Sequence, residues 1–166
     1  MSNAVSYVAR PYTATCSGDH ASGIVSGGGR LKGGAGLFSH VFLGVSDFGR
    51  ALAFYRAVLP SLGLEERFCE HSRPWAGWQV NPGQRPLFLI GKPYDGCAHE
   101  AGNGQMVALL TQGRAVVDAV YAVALRSGGS SEGGPGLRPE YTPTYYGAYF
   151  RDTEGNKICV ACHSPS

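Results

Sequence analysis

No stretch of this chain holds the roughly 20 consecutive apolar residues of a membrane-spanning helix, so no membrane partner is expected. Charge is also scarce. Asp, Glu, Lys and Arg make up 16% of the 166 residues, against roughly 25% in ordinary soluble domains. The net charge is +2, and no Lys/Arg cluster forms a stripe. That excludes the electrostatic footprint of a nucleic-acid binder. The start has no basic segment leading into an apolar core, so no secretory signal is expected. Cysteine is sparse and odd in number, at positions 16, 69, 97, 159 and 162. Such a set does not read as a disulfide scaffold, and a reducing cytoplasm is the expected location.

What is present is a hydrophobic content of 43%, enough for one domain with a core of its own. Glycine is unevenly spread. Residues 1–36 run through Ser26-Gly-Gly-Gly29-Arg30-Leu-Lys-Gly33-Gly34-Ala-Gly36, a density that costs too much backbone entropy to hold one shape alone. This segment, which opens on Met1-Ser2-Asn3-Ala4, reads as vector-derived or as a flexible leader, with Cys16 and His20 as bystanders. Residues 37–166 read as the folded domain.

From Leu37 the pattern becomes regular. His40–Val45 is a short apolar run expected to form a buried strand. Ser46 and Asp47 supply a helix N-cap, and Leu52, Tyr55, Val58 and Leu62 follow at helical spacing up to Gly63. Short strands are expected near Glu65–Glu70, Gly77–Val80 and Leu87–Lys92. The second half repeats the order. Gln105–Leu110 reads as a strand and Arg114–Arg126 as an amphipathic helix. A loose Gly/Pro/Ser stretch with one weak strand leads to the strands Tyr145–Arg151 and Lys157–Cys162. Each half is thus strand, helix, then up to three strands. The expected fold class is α+β, with paired βαβββ modules forming a curved sheet around a cleft.

The residues that carry this order resemble a known family. Ser39-His40-Val-x-Leu-Gly-Val-Ser-Asp47 with Ala53-Phe54-Tyr55 looks like the opening of a glyoxalase/bleomycin resistance/dioxygenase domain. Ala101-Gly102-Asn103-Gly104, Gly136-Leu-Arg138-Pro and Tyr145-Tyr146-x-Ala-Tyr149-x-Arg151-Asp152-x-x-Gly155-Asn156-Lys157-Ile158 fall in order at matching spacing. The resemblance covers residues 37 to 163 and implies the vicinal oxygen chelate fold. It further implies a small-molecule ligand and a homodimer. Metal-bearing members of this family catalyse reactions such as isomerisation and ring-cleaving dioxygenation, while other members sequester a drug without metal. Fold membership does not choose between them.

The resemblance places the family's metal ligands on the first and last strands of each module. Those positions fall on His40, on the side-chain set Leu87–Ile90, on Met106 and on Cys159. Only His40 is a donor for a hard divalent ion, so the usual site is degraded. A soft ion, Cu(I) or Zn²⁺, held by His40, Met106 and Cys159 is one alternative. A nucleophilic Cys159 paired with His40 is a second. In a third, Met106 and Cys159 simply line an apolar pocket.

Strand parity places His40 with Phe42, Met106 with Ala108, and Cys159 with Ala161 on cleft-facing sides. Parity also disposes of the string Cys159-Val-Ala-Cys162-His163, which matches a haem attachment pattern. Residues three apart on a strand face opposite ways, so no haem is expected. Trp75, Trp78, Tyr145 and Tyr149 complete the candidate cleft as stacking surfaces and hydroxyl donors; Arg138 and Arg151 are candidate anion contacts, with Arg151 read first as a brace for the Asp152 turn. His71 and His99 read as solvated loop residues. The functional expectation is a protein that binds a small organic molecule in an apolar cleft. The alternative is a metal-dependent lyase or dioxygenase-like enzyme with a non-standard ligand set, in which Tyr145 or Tyr149 serves as acid or base.

Overall fold

Each half of the chain builds one four-stranded sheet with a helix on one face, as the alternating patterns require. The computed structural model describes residues 38–80 and 85–165. The Gly-rich segment 1–36, with Cys16 and His20, lies outside the described residues. The first module runs β1 (His40–Gly44), α1 (Phe48–Val58), a 3₁₀ turn (Leu59–Leu62), β2 (Glu65–Glu70), β3 (Trp75–Gln79) and β4 (Leu87–Gly91). The second runs β5 (Val107–Leu110), α2 (Arg114–Arg126), β6 (Ser130–Leu137), β7 (Tyr146–Arg151) and β8 (Lys157–Cys162). The sheet orders are β1-β4-β3-β2 and β5-β8-β7-β6, with β1 parallel to β4 and β5 parallel to β8. The two topologies are identical, and no closed barrel forms. The expected α+β class with paired βαβββ modules is therefore the observed one. No helix among the described residues is long and apolar enough to cross a membrane.

The largest departure from the sequence reading is β6. The stretch expected to be loose, with one weak strand, is an eight-residue strand containing three glycines and a proline. It pairs with β7 at irregular register, shifting between Ser131 and Gly133 and again between Gly133 and Gly136. As an edge strand it can tolerate Pro135 and the bulges that break β-propensity.

The helix-facing residues of both sheets join one core. Trp78, Phe88 and Ile90 from the first module meet Phe150, Ile158 and Val160 from the second, with Phe54, Tyr55, Val117 and Val120 from the helices. Phe54 and Phe150 rings lie 6.3 Å apart, so α1 packs against the second module as well as the first. The alternate residues of every strand face away from the helices, and this open face carries the candidate site.

Polar contacts fasten the modules together at the β7–β8 turn. Asp152, 4% exposed, accepts hydrogen bonds from Tyr55 Oη at 2.6 Å, Asn156 Nδ2 at 2.9 Å, and the backbone N–H groups of Glu154 and Asn156 at 2.8 Å. Gly155 closes the turn at φ 89°, a left-handed conformation that any Cβ would strain. Asn156 Nδ2 also donates to Gly44 O, at the end of β1.

Glu154 then caps a helix of the other module. Its Oε2 accepts from the N–H groups of Ser46 and Asp47, and its Oε1 from Arg50 at 2.7 Å. A carboxylate at a helix N-terminus satisfies orphan donors and complements the dipole. Burial pushes Glu154 up, but Arg50 and the two backbone donors outweigh it and leave the carboxyl below its usual 4.5. Its contribution to stability is full above pH 4.5 and is lost as pH falls through the depressed folded value. A Glu154→Gln variant is expected to show a flatter acid limb than the parent in denaturant midpoints measured from about pH 6 to about pH 3, the span of ordinary carboxylate titration.

Candidate functional site on the open faces of the two sheets

The open face of the first sheet is aromatic and apolar. His40, Phe42 and Gly44 stand in register with Leu87, Leu89 and Gly91. Gly77 on β3 pairs with Leu89 on β4 and with Phe68 on β2. Leu89 is buried although it faces away from the helices, because Phe68 and Leu89 both close over side-chain-free Gly77.

Beside this floor runs a groove of about 760 Å³ lined by Phe42, Arg73, Pro74, Trp75, Lys92, Pro93 and Tyr94. Gly91 sets its width. A Cβ there would lie 3.0 Å from Trp75 Cβ and 3.2 Å from Phe42 Cζ. Trp75 is held in place, with its ring 4.5 Å from Phe68 and its Nε1 donating to Glu70 at 2.8 Å. Phe42 is 44% exposed and Tyr94 fully exposed, an arrangement that leaves apolar rings available to a ligand.

The open face of the second sheet holds a thiol beneath two phenols. Cys159 pairs across the ladder with Tyr149 and Ala108, and its side chain is buried. The Tyr145 hydroxyl and the Cys159 thiol share a hydrogen bond at 3.3 Å, and Tyr149 Oη donates to Tyr145 Oη at 3.4 Å. Tyr141 and His163 pack edge-on against Tyr145, while Arg138 and Lys157 lie over the Tyr149 ring.

Burial, reinforced by the Cys159 contact, pushes the Tyr145 hydroxyl far above its usual range; burial also raises Tyr149. Burial raises the Cys159 thiol too, against the opposing bonds from the two tyrosines. At neutral pH the cluster therefore holds neither a phenolate nor a thiolate. Its thiol and phenols can donate hydrogen bonds, but none of the three is a ready base or nucleophile. In alkylation with iodoacetamide at neutral pH, exposed Cys97 is expected to react first among the cysteines of the described residues. Cys159 and Cys162 are expected to stay unmodified until denaturant is added.

The sequence candidates thus separate into distinct surroundings. Phe42 and Trp75 share the groove. Phe42 and Met106 meet at a small cleft of about 160 Å³ between the modules, where Gln105 and Lys157 also contribute. Tyr145, Tyr149 and Cys159 form the thiol–phenol cluster. Trp78 does not belong to the cleft. Parity puts it on the helix side of β3, where it is 1% exposed and packs near Tyr55.

His40 is exposed at the start of β1, and its hydrogen-bond partner is Ser39 Oγ at 3.3 Å rather than Cys159. The His40–Cys159 dyad is therefore not assembled. His99 is not a solvated loop residue. Its N–H donates to Ser46 Oγ, its ring covers Gly44, and its Nε2 is buried without a partner among the described residues. Arg151 braces the turn by donating to Gly155 O and pairs with Glu132.

The donor set does not fit a resident hard metal ion. Of the positions the family would use, β4 offers only leucines, phenylalanine and isoleucine, and Met106 and Cys159 supply sulfur. Cys159 is enclosed by phenols, Met106 lies at the module seam and His40 faces Ser39. Among the described residues, no three His, Cys, Asp or Glu side chains come together to hold an ion. Cys159 and Cys162 lie on opposite faces of β8, so one haem cannot bond both.

Sequence reasoning missed Arg73, Lys92 and Tyr94 because they sit in turns whose approach to the sheet no periodicity encodes. The one available signal was the density of Pro and aromatic residues flanking Trp75 and Tyr94.

Among curated proteins, no sequence matches this chain. A solved glyoxalase/bleomycin resistance protein from Albidiferax ferrireducens is 33% identical, over 76% of this chain and 99% of its own, with a TM-score of 0.69. One from Catenulispora acidiphila is 26% identical over 78% of this chain and 100% of its own, with a TM-score of 0.52. A lactoylglutathione lyase from Agrobacterium tumefaciens shares the fold at 21% identity, over 75% of this chain and 92% of its own, with a TM-score of 0.54. The matching family model spans residues 37–160, and on these grounds the chain belongs to the glyoxalase/bleomycin resistance protein/dioxygenase superfamily.

Proposed function

We propose that this protein binds a small, flat organic molecule in the aromatic groove of its first sheet, without the hard metal ion that catalytic relatives use. The observation that carries this reading is the groove itself: Phe42, Trp75 and Tyr94 in its lining, with side-chain-free Gly91 keeping Phe42 and Trp75 apart. Apolar walls with a few polar groups at the rim are the usual anatomy of a small-molecule site. Burying one ring between such walls contributes roughly 1.5–3 kcal/mol before ordering costs. The chemistry of the second sheet supports a binding role, since its buried thiol and phenols are held neutral. In the same reading the chain works in the cytoplasm as a homodimer, with Leu110, 69% exposed on β5, available to a second copy.

The test is thermal unfolding of chelator-treated protein with and without flat aromatic compounds. A bound ligand must raise the midpoint, because it stabilises the folded state alone. A rise in metal-free protein that disappears in Trp75→Ala is the expected result. Stoichiometric metal that is lost, together with binding, in His40→Ala would sink the reading.

A further inference from the structure

We infer that the groove selects anions: its ligand is a planar aromatic acid, bearing a carboxylate, sulfonate or phosphate beside the ring. The inference rests on the groove being the binding site and adds the charge of what enters it. The lining carries two cationic side chains, Arg73 and Lys92, and no carboxylate. Both residues are exposed, and among the described residues neither forms an ion pair.

The nearby acids stay charged, Glu70 held low by its bonds from Trp75 and Ser72 and by Arg73, but neither Glu70 nor Asp95 lines the groove. Glu70 accepts from Trp75 Nε1 at 2.8 Å and from Ser72 Oγ at 2.9 Å, one bond on each oxygen. Asp95 accepts from the Cys97 N–H. Arg73 rests 4.9 Å over the Trp75 ring, a cation–π contact that restrains a side chain otherwise rich in rotamers. A guanidinium held in this way loses less freedom on meeting a planar anion, and its fork matches carboxylate, sulfonate and phosphate oxygens. Lys92 follows Gly91 at the end of β4, so its charge stands beside the floor that Gly91 keeps open. Rings on the walls and cations at the rim together describe an aromatic acid.

Two probes that share their rings separate charge from shape. Anilinonaphthalenesulfonate is the anion, and phenylnaphthylamine is the same ring system without the sulfonate. The sulfonate is expected to bind at least about fivefold more tightly, the effect of two partly solvated charge contacts, and its affinity is expected to fall with added salt. The double variant Arg73→Gln/Lys92→Gln should lower the sulfonate's affinity to about that of the neutral probe, so that the ratio of the two affinities falls to about one and the salt dependence is lost. Equal binding of the two probes to the parent, or no effect of the double variant, overturns the charge selection and leaves the groove standing. If neither probe binds, or if both bind Trp75→Ala as well as the parent, the groove reading falls with it.

Discussion

Replacing Trp78 with alanine is expected to destabilise the fold by about 3–5 kcal/mol and to leave ligand affinity nearly unchanged in whatever protein stays folded. Replacing Trp75 is expected to do the reverse, costing about 1–2 kcal/mol of stability and removing binding. The two residues are three apart on β3, and strand alternation sends them to opposite faces. Trp78 is 1% exposed and sits among Tyr55, Phe88 and the helix-facing core, so its removal leaves a cavity that rigid neighbours cannot fill. Trp75 is half-buried and forms a groove wall, and its loss opens space that was already continuous with solvent. Urea denaturation paired with a binding titration on each variant checks both halves. Equal stability losses in the two variants would contradict the assignment of faces.

Asp152→Ala is expected to cost about 3–5 kcal/mol in urea denaturation, because it orphans several buried donors at once. Tyr55 Oη and two backbone N–H groups lose their acceptor inside the protein, and Asn156 Nδ2 keeps only Gly44 O. Tyr55→Phe removes one of those donors together with its need for a partner, so it should cost about 1–2 kcal/mol. The double variant should cost less than the sum, since the two groups share one bond. These contacts join α1 of the first module to the β7–β8 turn of the second. A loss confined to that turn, with the module interface intact by hydrogen exchange, would show that the network serves the turn alone.

Most of the fold was legible in the sequence, because period and punctuation carry it. The boundaries of β2, α2 and β8 are those the patterns marked, and Asp47 caps α1, accepting from the Arg50 N–H. Parity correctly separated Cys159 from Cys162 and Tyr145 and Tyr149 from Tyr146, whose hydroxyl instead donates to Asp118 on α2. β6 was underread because its Gly and Pro content signals a loop, while its edge position and pairing with β7 override local propensity.

The site was legible only in part. Phe42 and Trp75 could be placed on a face, but their joining with Tyr94 depends on where the turn after β4, closed by Gly96 N–H on Pro93 O, carries the chain. Trp78 was misplaced by treating proximity to Trp75 as a shared direction. The separation of His40 from Cys159 reflects how two modules pack, and that lies in tertiary contacts that no single strand encodes.

The measurement that bears most directly on function is a calorimetric titration of chelator-treated protein with anilinonaphthalenesulfonate, repeated on Trp75→Ala and His40→Ala. One saturable site is expected in the parent and in His40→Ala, and no site in Trp75→Ala. Binding that requires added divalent metal and vanishes in His40→Ala would contradict a metal-free aromatic groove as the seat of function.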